Sequence, residues 1–76
     1  MNIRISSHAA ARMKERGITE EQVRAVFNEE IPVISADVSD EDNSVIEVVC
    51  KMKGRKMKFI YSVETNTLVT VYPMGG

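Results

Sequence analysis

Two runs rich in β-branched and aromatic residues, Val45 to Met52 and Arg55 to Val63, are separated only by Lys53-Gly54. A two-residue loop ending in glycine joins antiparallel strands, because such tight turns need positive φ angles that glycine adopts freely. The loop length sets the register. It places Met52 opposite Arg55, Cys50 opposite Met57, Val48 opposite Phe59 and Ile46 opposite Tyr61. Side chains alternate across a strand, so these apolar residues share one face, which other elements must cover. The second face pairs Lys51 with Lys56, Val49 with Lys58, Glu47 with Ile60 and Val45 with Ser62, a mixed basic and apolar outer surface.

The cover comes from the N-terminal part of the chain. Ser6-Ser7-His8-Ala9-Ala10-Ala11-Arg12-Met13-Lys14-Glu15-Arg16-Gly17 reads as a helix from about His8 to Arg16, with a serine start and a glycine stop. At about 100° per residue, Ala9, Ala10 and Met13 share one side, with His8, Arg12, Glu15 and Arg16 roughly opposite. Thr19-Glu20-Glu21-Gln22 is a capping box that opens a second helix to about Asn28, with Val23, Val26 and Phe27 on one side. Pro32 rules out continuation, and the β-branched stretch Ile31 to Val38 predicts a strand. Ser39 to Asn43 is an acidic turn. Glu64 to Thr67 turns the chain into a last strand, Leu68 to Tyr72, which Pro73 ends; Met74-Gly75-Gly76 should fray. A four-residue turn and a bulged turn before that strand put Thr70 on opposite faces, and both stay open. Met1 to Ser6 is either a short strand or an extended lead-in. The expected architecture is α+β: two N-terminal helices packed on a four-stranded antiparallel β-meander, one domain over residues 1–76.

With no tryptophan and four other aromatic residues, the core must be built from Val, Ile, Met and Ala and is thin, so a homodimer would be an unsurprising source of burial. Cys50 is the only cysteine, which excludes an internal disulfide and points to a reducing cytoplasm. Met1 to Ile5 alternates polar and apolar residues rather than forming a signal peptide, and no apolar run approaches the ~18 residues of a membrane span. The net charge of −1 conceals a pattern: residues 1–16 carry +3, residues 17–47 carry −8 and residues 48–76 carry +4. If the fold joins the two basic ends, an acidic molecule acquires a local anion-attracting surface; otherwise these are solvated faces.

The densest chemistry lies on the first helix. A neutral imidazole at His8 could act as a general base, or the residue could sit at the surface bonded to backbone. Arg12 and Arg16 could clamp a phosphate with forked donors, or pair with Glu15, Glu20 or Glu21. On the last strand, Tyr72 and Thr70 could donate to a leaving oxygen or orient a phosphate, or Tyr72 could pack over the core. Cys50 falls on the core face, where a buried thiol is inert. One histidine and one cysteine make no metal set, and no phosphate-binding glycine loop is visible, so no cofactor is expected.

The pattern Ser7-His8-Ala9, Arg12-Met13, Glu15-Arg16-Gly17-Ile18 resembles the opening of a small prokaryotic family of unknown function, and Val69-Thr70-Val71-Tyr72 resembles its closing strand. That family is similar in layout to the barnase–EndoU–colicin–RelE group of ribonuclease toxins. The resemblance implies metal-independent RNA cleavage by attack of the 2′-hydroxyl on the neighbouring phosphate. It makes His8, Arg12, Arg16, Thr70 and Tyr72 the candidate catalytic residues; Lys51, Lys56 and Lys58 of the basic outer face are the candidate RNA contacts. His8 would accept the hydroxyl proton, the arginines would stabilise the phosphorane charge, and Tyr72 would protonate the leaving oxygen. The implied partners are RNA and an antitoxin-like protein. A different reading of the same face is a non-catalytic interaction or dimerisation module built on Val45, Val49, Ile60, Lys51, Lys56 and Lys58.

Overall fold

The computed structural model describes residues 2–74, so the expected fraying of Gly75 and Gly76 lies outside the described residues, as does Met1. Along the chain run β1 (Arg4–Ile5), α1 (Ser7–Arg16), α2 (Glu20–Phe27), β2 (Val33–Val38), β3 (Val45–Met52), β4 (Arg55–Ser62) and β5 (Thr67–Pro73). The strands form one five-stranded sheet in the order β1-β5-β4-β3-β2. The class is α+β with two helices, as expected, but the sheet is mixed rather than a four-stranded antiparallel meander. The extra strand is β1, which pairs parallel to β5 through Arg4↔Thr67 and Ile5↔Leu68. Its bonds, Arg4 N–H to the Asn66 carbonyl (2.8 Å) and Ser6 N–H to the Leu68 carbonyl (3.1 Å), reach across almost the whole chain; the short-strand reading of Met1 to Ser6 holds for Arg4 and Ile5, but its pairing partner is not a local matter.

Local chemistry explains the rest of the boundaries. Lys53 and Gly54 have φ of 52° and 78°, the two successive left-handed residues of a type I′ turn, and β3 and β4 pair in the register that such a loop dictates, from Val45↔Ser62 to Met52↔Arg55. The Ser6 hydroxyl accepts from Ala9 N–H (3.0 Å) and so caps α1, which begins at Ser7. Gly17, at φ 69°, closes α1 in the left-handed region, with Ile18 N–H donating to the Met13 carbonyl. The capping box at Thr19 forms in both directions: Gln22 N–H donates to the Thr19 hydroxyl, and Thr19 N–H to Gln22 Oε1. β2 begins at Val33 rather than Ile31, because Glu30 and Ile31 N–H still bond the Ala25 carbonyl at the end of α2.

The core lies between the helices and one face of the sheet. Phe59, Leu68, Val23, Val71 and Cys50 are its largest fully buried side chains, with Ala9 and Met13 buried from α1. Ala10, expected on the same side, is exposed. Phe27 anchors α2 by meeting Phe59 edge-on (6.3 Å, 88°) and Tyr61 at 5.1 Å. The Tyr61 hydroxyl donates to Asn66 Oδ1, which satisfies its polar end inside the fold.

Candidate nucleic-acid interface

The face of the sheet turned away from the helices carries most of the predicted site. β5 pairs with β4 through Lys58↔Tyr72, Phe59↔Val71 and Ile60↔Thr70, then shifts register so that Tyr61 meets Leu68. Val69 is the extra residue of that bulge. The bulge decides the parity that the sequence leaves open. Leu68 and Val71 both point into the core, while Thr70 and Tyr72 join the outer face.

Cross-strand pairing builds that face in rows. Lys51 and Lys56 oppose each other next to the hairpin tip. Ser35, Val49, Lys58 and Tyr72 follow, then Asp37, Glu47, Ile60 and Thr70. Neighbouring strands stand ~4.8 Å apart, so Tyr72 and Lys58 are adjacent within one row. Lys58 leans diagonally to Glu47, Nζ to Oε1 at 3.0 Å, with both side chains part-buried. That hydrogen bond pushes the Lys58 ammonium above the usual lysine range, and the negative charge of Glu47 acts in the same direction, against partial desolvation. Glu47 is the member that motif reasoning missed. Its place on the outer face follows from the hairpin register, but its bond to a diagonal neighbour is a matter of side-chain geometry. The apolar residues of this face are not free patches: Val49 is buried, and Val45 and Ile60 are half-buried.

The other three predicted residues stand in the helical layer. The Ser6 hydroxyl donates to the Val69 carbonyl (2.9 Å), which pins the start of α1 beside β5. His8, one residue into that helix, is exposed, as is Arg16. Arg12 pairs with Glu15 (3.2 Å), while its Nε is buried without a hydrogen-bond acceptor. Because α1 lies on the core side of the sheet, the structure brings Lys51, Lys56, Lys58, Thr70 and Tyr72 to one face and keeps His8, Arg12 and Arg16 on the other side. A cleft of about 490 Å³ opens between β1, α1 and the start of α2, lined by Ile5, Ala10, Met13, Lys14, Ile18 and Glu20. None of His8, Arg12 and Arg16 lines it.

The two basic ends of the chain do meet. Lys53 Nζ donates to the Gly17 carbonyl, tying the β3–β4 hairpin to the end of α1, where Lys14 and Arg16 lie. Cationic side chains from both parts of the sequence therefore approach one another there, next to Glu15, Glu20 and Glu21, while Glu29, Glu30, Asp37, Asp40, Glu41 and Asp42 flank β2 at the edge of the sheet. Among the described residues no three His, Cys, Asp or Glu side chains cluster to hold a metal ion. No helix among them is long and apolar enough to cross a membrane.

These features define a small α+β domain with a lysine-lined sheet face opposite its helices. Residues 5–73 match the DUF4258 family, described as a domain of unknown function, and the chain belongs to that family. No curated protein and no solved structure matches it.

Proposed function

We propose that this domain is a ribonuclease of the small-toxin kind that binds the RNA backbone on the outer sheet face and cleaves it without a metal. The observation that carries the reading is the Lys58–Glu47 ion pair, bordered by Tyr72 in its own row and Thr70 in the next. A carboxylate, a phenol and a cation can serve as the proton acceptor, the proton donor and the charge stabiliser in transfer to a neighbouring hydroxyl. Lys58, with Lys51 and Lys56, neutralises the phosphate. Glu47, released from Lys58 by the incoming anion, accepts the 2′-hydroxyl proton as the 2′-oxygen attacks phosphorus. The bond to the 5′-oxygen breaks, and the Tyr72 phenol supplies the proton that this leaving group needs. The products are a 2′,3′-cyclic phosphate and a 5′-hydroxyl. Thr70 orients a non-bridging oxygen. The meeting of the two basic ends supports the same reading, because it offers an anion an approach to an otherwise acidic molecule.

The test is incubation of purified protein with free and ribosome-bound RNA in the presence of a chelator, followed by end-group analysis. Wild type should yield cyclic-phosphate ends, while Tyr72→Phe and Glu47→Gln should lose cleavage and relieve any growth arrest on expression. Full activity in both variants, or no cleavage by the wild type on either substrate, would overturn the reading. Loss in His8→Ala alone would return the chemistry to α1.

A further inference from the structure

At the opposite edge of the sheet lies a surface of different character. Among the described residues β2 ends the sheet and pairs only with β3, and five of its six residues are exposed. Val33, Ile34 and Val38 are 44%, 54% and 57% exposed, which makes β2 the strand with the most open apolar surface. Edge strands with such side chains are normally guarded by lysine, proline or a bulge, since their free backbone groups invite pairing. Here the bulge falls at Ile34, between Val33 and Ser35, and leaves Ser35–Val38 in regular register against Ala36↔Val48 and Val38↔Ile46. Ser39 N–H donates to the Val45 carbonyl, so by alternation Ser35 and Asp37 face β3. The N–H and C=O of Ala36 and Val38 then point outward. No lysine lies in β2.

The charge around this edge selects what can pair with it. Glu29 and Glu30 precede β2, Asp37 lies within it, and Asp40, Glu41 and Asp42 follow it; all six are exposed. Among the described residues none of the six is in an ion pair. No basic residue occurs between Arg24 and Lys51. Antiparallel pairing of β2 with β2 of a second copy would set Glu29 and Glu30 of each chain against Asp40–Asp42 of the other, at both ends. Nucleic acid is repelled for the same reason.

We propose that β2 takes an extended segment of a partner protein, an alternating apolar strand flanked by lysine or arginine, as a sixth strand of the sheet. The backbone of Ala36 and Val38 holds it, Val33, Ile34 and Val38 meet its apolar side chains, and the carboxylates at the two ends select its basic flanks. This surface adjoins the lysine face at Asp37, but it uses no residue assigned to RNA there and stands whether or not the domain cleaves RNA.

Short fluorescent peptides of alternating valine and threonine, flanked by arginine, glutamine or glutamate, test the proposal by anisotropy. The arginine-flanked peptide should bind about tenfold or more tighter than the glutamine-flanked one at low salt, with the gap closing at high salt. Amide shifts should centre on Ala36 and Val38. Ala36→Pro, which removes an outward N–H and leaves the β3 ladder, should abolish binding. Methylating alternate backbone nitrogens of the peptide should abolish it on the unaltered protein. Equal affinity for the three peptides would overturn the charge selection. Binding insensitive to both backbone blocks, or no binding, would overturn the strand addition. A dimer in sedimentation velocity that Ala36→Pro dissolves would name a second copy as the occupant and overturn the proposal.

Discussion

Replacing Glu47 by glutamine separates binding from chemistry on the lysine face. Lys58 Nζ lies 3.0 Å from Glu47 Oε1, so in the wild type one of three face lysines is already neutralised by the protein. Each phosphate contact to single-stranded RNA contributes about 0.7 to the slope of log affinity against log salt. In the wild type the counterion released where Lys58 meets phosphate is offset by the cation that the freed Glu47 takes up, so the net slope is about −1.4, whereas three lysines with no carboxylate to free give about −2.1. Over a tenfold rise in salt the wild type should lose about 25-fold in affinity, and Glu47→Gln about 125-fold. At low salt the variant should bind more tightly, since no carboxylate competes with phosphate for Lys58. Anisotropy on 2′-O-methyl RNA, which cannot be cleaved, reads this term alone. Glu64→Gln, an exposed acid in the β4–β5 turn, controls for net charge. On unmodified RNA the same Glu47→Gln protein should cleave far more slowly, because the proton acceptor is gone. A slope equal to that of Glu64→Gln would refute the phosphate role of Lys58. Undiminished cleavage with tighter binding would refute Glu47 as the base.

Further outcomes follow from the rest of the fold. Burial pushes the Cys50 thiol up, so the unfolded chain ionises first as pH rises; stability should fall above about pH 8.5, and this decline should be absent in Cys50→Ala when urea midpoints are compared across pH. The same burial should make native Cys50 resist alkylation until the protein is unfolded. Gly17→Ala forces a Cβ into a left-handed residue and within 3.0 Å of Lys53 Nζ, so it should cost about 1–2 kcal/mol by denaturant melts. Gly54→Ala, at φ 78° with open space around it, should carry a similar backbone strain without the Lys53 contact. Arg12→Met removes a buried Nε with no acceptor, whose desolvation costs about 1–3 kcal/mol, at the loss of an exposed ion pair that contributes about 0–1 kcal/mol. Its unfolding midpoint should therefore match or exceed the wild type, and a clear drop would show that Arg12 supports the fold through its charge.

What could be read ahead of the structure was what neighbours in sequence decide. Thr19 and Gln22 touch each other across one helical turn, and Gly17 ends α1 through its own φ, so both helices were legible from short-range sterics. The convergence of the basic ends was stated only as a condition, since Lys53 and Gly17 meet through the stacking of whole elements. Glu47 had a legible face but no legible role. Its acceptance of Lys58 rather than solvent depends on two side chains leaning along a diagonal.

Sequence alone determined the β3–β4 register, because a two-residue turn with two positive φ angles leaves the strands a single alignment. It thereby determined which residues form the lysine face. Only the tertiary structure decided that β1 joins the sheet beside β5, and that a bulge at Val69 turns Thr70 and Tyr72 outward, away from His8, Arg12 and Arg16. The physical reason is common to both. Strand pairing uses backbone groups that every residue carries, so distant partners and a one-residue slip are chosen by which side chains the whole core can bury.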